Sequence, residues 1–239
     1  MALEALFFGA HPDDIELTCG GLAALLTRAG HPVGLVDMTR GEMGSRGTPE
    51  LRAAEAQAAA AALGVAVREN LGLPDSGLSR HDRAQMIAVV ECLRRHQPQL
   101  VVAPYTDDPH PDHVETSHLV TRACYLAGLA RYPAAGARWR PARLLYALYR
   151  GLSPATVVID ITSVWEARTA ALMAHFSQVG SGDGPPTYLT TPTFLAEVEA
   201  RARVYGAAAG CTFGEGYRPR GPMILGDAAS LLVPRERAL

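Results

Sequence analysis

Two stretches of this sequence gather the residue types that hold cations and move protons. GAHPDD, residues 9–14, supplies His11, Asp13 and Asp14, and APYTDDPHPDH, residues 103–113, supplies His110, Asp112 and His113. Adjacent carboxylates repel, and a turn has no need of a pair of them, so Asp13 and Asp14 require something cationic to hold them. Imidazole and carboxylate are donors that suit zinc, and a catalytic zinc takes three protein ligands and leaves its fourth position to water. Six candidates for about three ligand positions leave others to act as acids, bases and partners of the ligands. Taken alone, each stretch is an ordinary helix start, with Asp13 or Asp14 capping IELTCGG and Asp112 capping the helix after HPDH. Occurring together, each just past a core strand, they fit a cation site better than two caps.

The elements that must position them follow from the hydrophobic pattern. LEALFFGA reads as a buried first strand, followed by a helix-like IELTCGGLAALLTRAG that ends at Gly30. VGLVDM gives a strand near 33–38. Thr48 reads as an N-cap with Pro49 at the first helical position, and the alanine-rich run 49–63 stops at Gly64. A strand near 66–71, a helix near 81–96, the strand QLVVAP (99–104) and a helix near 112–128 complete a βαβαβαβα order. That order predicts a Rossmann-like three-layer α/β sandwich with a mostly parallel sheet. In such sheets strands one and four are neighbours where the strand order reverses, and ligands bind beyond their carboxyl ends. GAHPDD and HPDH would therefore face each other.

The second half is less regular and forms a C-terminal α/β extension. LLYALYR and TVVIDIT read as strands, WEARTAALMAHFSQ and TFLAEVEARARVYGAAAG as helices, and VGSGDGPPTYLTTP as a loop. With no internal repeat and no long linker, residues 1–239 are expected to form a single domain.

The bulk properties exclude several classes. A net charge of −2 over 239 residues offers no electrostatic case for nucleic acid or an acidic membrane surface. No apolar run approaches the roughly 20 residues of a membrane span. MALEALFFGA lacks the basic start and long apolar stretch of a signal peptide, and Cys19, Cys92, Cys124 and Cys211 form no CxxC pair. Buried free thiols and a cytoplasmic location are the expectation.

AHPDD near the N-terminus with HPDH about a hundred residues later resembles the PIG-L/LmbE family of zinc-dependent N-acetylglucosamine deacetylases. TRGEMGSRGTPELRAAEAQAAAAALG, NLGLPDSGL, HFSQVGSG and RARVYGAAAGCTFGEGYRPRGP resemble its bacillithiol branch, the N-acetylglucosaminyl-malate deacetylases. The resemblance covers nearly the whole chain. It implies that His11, Asp14 and His113 bind zinc, that Asp13 is the general base, that His110 polarises the substrate carbonyl, and that Asp112 holds His110 charged and oriented. Iron(II) suits the same ligands. Such an ion acidifies a bound water, a carboxylate takes its proton, and the same carboxylate then protonates the leaving amine. The resemblance also implies a small-molecule N-acetylated sugar as substrate and a homo-oligomer.

At the substrate end, Arg52 and Asp75 match family positions that contact the substrate, and Asp75 one used for sugar hydroxyls. Malate has two carboxylates, and Arg40, Arg46 and Arg52 cluster where they could meet them, although Pro109 stands where relatives carry a basic residue. The competing readings are a nucleotide-binding module with Asp37 on a ribose, the same chemistry on a diacetylchitobiose-like sugar, and a non-catalytic metal-stabilised domain. His31, His81, His96 and His118 read as surface or capping groups, and Tyr205 and Phe213 as core. His175 matches the family pattern without an evident role.

Overall fold

The strand signals assemble into one seven-stranded sheet in the computed structural model, which describes residues 2–149, 154–182 and 184–223. The strands are β1 (Ala5–Gly9), β2 (Val33–Thr39), β3 (Val67–Leu73), β4 (Leu100–Pro104), β5 (Arg143–Ala147), β6 (Val157–Asp160) and β7 (Gly214–Pro219). The α-helices are α1 (Asp14–Thr18), α2 (Gly20–Arg28), α3 (Pro49–Ala62), α4 (Arg83–His96), α5 (Pro111–Leu126), α6 (Trp165–Ala174), α7 (Phe176–Val179) and α8 (Phe194–Ala209). Strand order is β3-β2-β1-β4-β5-β7-β6. The first five in that order run parallel, and β7 runs antiparallel to both its neighbours. The expected mostly parallel α/β sandwich is therefore present, and β1 pairs with β4 at the reversal point. No helix among the described residues is long and apolar enough to cross a membrane.

The sheet is covered on both faces, which is why β1 and β2 are apolar without alternation. Leu6 and Phe8 pack with Val89 and Leu93 of α4 and Leu119 of α5. Ala5 and Phe7, one residue out of phase, pack on the other face with Ile15, Ala59 and Ala171. Thr48 caps α3 as expected, its hydroxyl accepting from Leu51 N at 3.2 Å.

Three local readings are corrected. The helix expected from Ile15 to Gly30 breaks at Cys19, because a residue nearly two hundred positions away caps its second part. Glu215 of β7 accepts from Gly21 N at 2.7 Å and Leu22 N at 2.9 Å. A Cβ on Gly21 would lie 2.7 Å from that carboxylate and 2.6 Å from Ile161, so only glycine fits. The strand β7 itself went unread, since Gly214, Gly216 and Pro219 argue against a strand; Gly216 leaves room for the Tyr205 ring, which is core as expected. His96 is buried, not a surface group, with its Nε2 2.7 Å from Glu69. Arg150, which ends the expected LLYALYR strand, and Asp183 in the glycine-rich loop lie outside the described residues.

Under the sheet's reversal point lies a buried run of charge. Arg68 of β3 donates to both oxygens of Asp37 at 2.9 Å and to Glu16 of α1, and Glu16 Oε2 lies 3.3 Å from His175 Nε2. Burial raises the Glu16 carboxyl, but Arg68 and His175 outweigh it and hold it at about 2. Asp37, with both oxygens on Arg68, is not free to hold a ribose, which removes the nucleotide-binding reading. Removing Arg68 would strand two buried carboxylates. Arg68→Ala should lower unfolding free energy by about 3–5 kcal/mol, measured by urea denaturation. A loss below about 1 kcal/mol would show that this array does not brace the fold.

Candidate metal and catalytic site

β1 ends at Gly9 and β4 at Pro104, side by side, and both lead into one cavity of about 340 Å³. After Gly9 the chain turns through His11 and Pro12 and enters α1 at Asp14. The Asp14 carboxylate fixes that turn by accepting from His11 N at 2.8 Å. Asp13, at the N-cap of α1, has φ 127°, a backbone region that side-chain-bearing residues rarely adopt. Across the cavity His110 caps α5, with Pro111 in its first turn, and its Nδ1 accepts from Asp112 N at 3.2 Å.

Both buried histidines turn one nitrogen inward and one outward. His11 Nδ1 lies 3.4 Å and His113 Nε2 3.1 Å from the two oxygens of Asp14. Outward, His11 Nε2 meets Asp75 Oδ1 at 3.1 Å and Asp112 Oδ2 at 3.5 Å, and His113 Nδ1 meets Asp108 Oδ1 at 3.0 Å. Ligand atoms of His11, Asp14 and His113 all lie within 4.8 Å of one another. A ligating histidine characteristically has its other nitrogen held by a carboxylate, which fixes the ring and its tautomer. The three residues present a buried donor set that suits zinc or another divalent transition metal.

The electrostatics agree. Burial opposes charge on His11, but Asp112, Asp14 and Asp75 outweigh it and raise its pKa well above the ordinary value. Burial likewise opposes charge on His113, but Asp14 and Asp108 push it up to about 9. Asp14 is buried too, and His113 and His11 hold it well below the ordinary range. Four carboxylates thus demand positive charge at this point, and a divalent cation on the inward nitrogens would exchange with protons there. Asp13 differs. Burial is the largest influence on it; Arg52 opposes, Asp14 adds, and His175 and His11 oppose, leaving the carboxyl at about 6. Arg52 Nη2 stands 3.6 Å from Asp13 Oδ1.

All six motif residues come together here, with the His11, His110 and His113 ring centroids 4.6–5.6 Å apart. Asp112 does not play its expected part. Its Oδ2 accepts from Ser76 N at 2.7 Å and faces His11, while His110 receives only the Asp112 backbone N–H. Burial, with His113 and His11 nearby, lowers the His110 pKa, and because its Nδ1 accepts from the Asp112 N–H, the ring's N–H is the one on Nε2. Arg52 and Asp75 line the cavity, yet both are engaged by the protein. Arg52 donates to Gly41 O and Pro12 O, and Asp75 Oδ2 accepts from Met43 N at 2.9 Å. A Cβ on Gly41 (φ 68°) would sit 2.0 Å from the Arg52 guanidinium. Asp108, Tyr149 and Gln178 went unread. Asp108 is one of two aspartates in TDDP with nothing local to distinguish it, and Tyr149, edge-on to His113 at 4.8 Å, comes from the end of β5.

Residues 6–124 match the family profile described as PIG-L, GlcNAc-PI de-N-acetylase. A protein of Rhodococcus opacus (strain B4) named 1D-myo-inositol 2-acetamido-2-deoxy-alpha-D-glucopyranoside deacetylase is 30% identical over 73% of this chain and 81% of its own length. Among solved structures, the conserved protein TT1542 from Thermus thermophilus aligns with TM-score 0.86 and 35% identity, covering 99% of this chain and 100% of that one. The N,N'-diacetylchitobiose deacetylase from Pyrococcus horikoshii aligns with TM-score 0.79 and 25% identity, covering 91% and 84%.

Asp108→Asn should leave the fold intact but weaken zinc binding about 10- to 100-fold, measured by competition with a chromogenic chelator. An unchanged Kd would detach Asp108 from the cation site.

Proposed function

The chain belongs to the PIG-L (GlcNAc-PI de-N-acetylase) family, and from that premise we propose that it hydrolyses the acetamide of an N-acetylglucosamine conjugate, releasing acetate and the free amino sugar. The observation that carries this reading is the convergence of His11 Nδ1 and His113 Nε2 on Asp14, with Asp13 beside them at the cavity wall. His11, Asp14 and His113 would hold zinc, and iron(II) suits the same atoms. When bound, the ion supplies Lewis-acid chemistry, acidifying a water and drawing charge from the scissile carbonyl.

The chain's own residues perform the proton work. Asp13, at about 6, is a competent base near neutral pH. It takes the proton of the attacking water as the new C–O bond forms. His110 Nε2–H donates to the carbonyl oxygen as negative charge builds there. Asp13 then returns its proton to the nitrogen as the C–N bond breaks, so the leaving group departs as an amine. Asp112 acts through His11 and Ser76 N as a positioning residue. Arg52 and Asp75 line the cavity and hold Asp13 and His11 in place.

On the aglycone, the lining and the named relatives support a neutral group over the expected malate. Arg46 buries its guanidinium among the carbonyls of Ser177, Gly180, Gly182 and Pro185. Arg40 lines a separate small cavity with Asp37 and Arg68, and Arg52 is engaged as described. Arg46 thus points its fork into backbone carbonyls, and Arg40 faces a different cavity, so the three arginines do not converge on one dicarboxylate site. The rim residues Met43, Pro109 and Leu189 are uncharged. A neutral polyol aglycone fits this lining, and the Rhodococcus relative is named for an inositol glycoside.

Two outcomes test the reading. With zinc restored, amine release from N-acetylglucosaminyl-inositol should exceed that from N-acetylglucosaminyl-malate at least about tenfold in kcat/KM, a difference of about 1.4 kcal/mol. A preference for malate would reverse the assignment, and preference for N,N'-diacetylchitobiose would move it to that sugar. Asp13→Asn should bind zinc normally and lose turnover about 100-fold or more, whereas His113→Ala should lose the metal as well. Near-normal turnover by Asp13→Asn would dismiss the assigned base.

A further inference from the structure

Gln178 carries a role that rests on the deacetylase reading and goes beyond it. It is 7% exposed, lies on α7 and lines the same cavity as His11, Asp13 and His113. Its Nε2 donates to Arg46 O at 2.8 Å and to Ser177 Oγ at 2.9 Å. A backbone carbonyl can only accept, so the amide's orientation follows from its partner. Both amide hydrogens are spent. The Oε1 atom takes no hydrogen bond from any described residue and, not being among the fully buried atoms without a partner, keeps some exposure on a residue that lines the cavity.

The amide is also held in place. Ser177 donates from N and Oγ to the two oxygens of Glu55, both at 2.6 Å. Arg46 ties four carbonyls of the 177–185 segment to its own loop. Gly47 (φ 70°) lets that loop approach, since a Cβ there would lie 2.6 Å from Ser177 Oγ. A fixed acceptor on a cavity wall costs little to order when a donor arrives. It selects hydroxyl or N–H groups and disfavours carboxylates. We infer that Gln178 Oε1 accepts a hydrogen bond from a ring hydroxyl of the substrate's N-acetylglucosamine and so sets specificity for that hydroxyl.

The test compares kcat/KM of the metal-loaded wild type and Gln178→Met on the parent inositol conjugate and on its 3-deoxy, 4-deoxy and 6-deoxy sugar analogues. The wild type should lose about 10- to 100-fold on one analogue. Gln178→Met should lose a similar factor on the parent but treat the parent and that analogue alike, with zinc Kd unchanged. If Gln178→Met keeps the wild-type discrimination at every position, the inference is wrong. Should the variant fail to fold, fluoro analogues on the wild type alone decide. Fluorine cannot donate, so at the recognised position the fluoro sugar should be as poor as the deoxy sugar. A fluoro sugar restored to the parent rate at each sensitive position would overturn the acceptor role. Absence of wild-type turnover on the inositol conjugate, the malate conjugate and N,N'-diacetylchitobiose alike would instead sink the deacetylase reading, and this inference with it, before any variant is compared.

Discussion

Three carboxylates, Asp13, Asp14 and Glu16, are buried within four consecutive residues at the carboxyl end of the first strand, and the rest of the structure is arranged to tolerate them. Ionised carboxylates in a protein interior need opposite charge and hydrogen bonds close by. Each receives its own. Asp14 faces His11 and His113, Glu16 faces Arg68 and His175, and Asp13 has Arg52. Those partners come from β3, α3, α5 and the junction of α6 with α7. Electrostatic neutrality at one strand end thus reaches across both helical layers.

The same crowding explains the backbone at Asp13. Asp13 and Asp14 are adjacent yet serve separate cationic partners, Arg52 and the two histidines. A φ of 127° sends Asp13 toward Arg52 while Asp14 caps the turn and meets the histidines. Such a conformation costs about 1–3 kcal/mol and persists only where its surroundings over-determine it. Here the Arg52 bonds to Pro12 O and Gly41 O, and the Asp14 bond to His11 N, hold the turn from both sides. The result is a division of labour between adjacent aspartates: one embedded among imidazoles that lower its pKa, the other left at about 6.

The sequence made the parallel half of the sheet and the meeting of the two motifs legible, because both follow from local signals. Apolar runs end at glycine or proline, and the alternation of elements places strands one and four together. The six motif residues were readable as a group because they fall in the two loops that follow β1 and β4, whereas the choice of His11, Asp14 and His113 as ligands came from the family resemblance. What went unread depends on pairs far apart in the chain. Glu215 breaks a continuous helix pattern at Cys19 from nearly two hundred residues away, and nothing near Cys19 announces it. Asp108 has no local mark that sets it apart from Asp107. Arg46 was read as a partner for substrate carboxylates because it stands near Arg40 and Arg52 in the chain, and only the fold reveals the four carbonyls that take its guanidinium. His175 had a motif but no partner until Glu16 and Arg68 were placed beside it.

Two structural systems therefore meet in one cavity, and they are held by different forces. The floor, from His11 to His113, is fixed by the sheet's reversal point and by charge neutralisation around α1. The wall containing Gln178 is fixed by hydrogen bonds that tie the Arg46 loop and Glu55 of α3 to α7 and the segment after it. A change in the wall need not disturb the floor, since the histidines pair with aspartates of the floor, while Gln178 and Arg46 bond to backbone carbonyls and Ser177. In the proposed reaction the amide chemistry would belong to the floor and recognition of the sugar to the wall, and a wall whose arginine is spent on backbone carbonyls suits hydroxyls better than carboxylates.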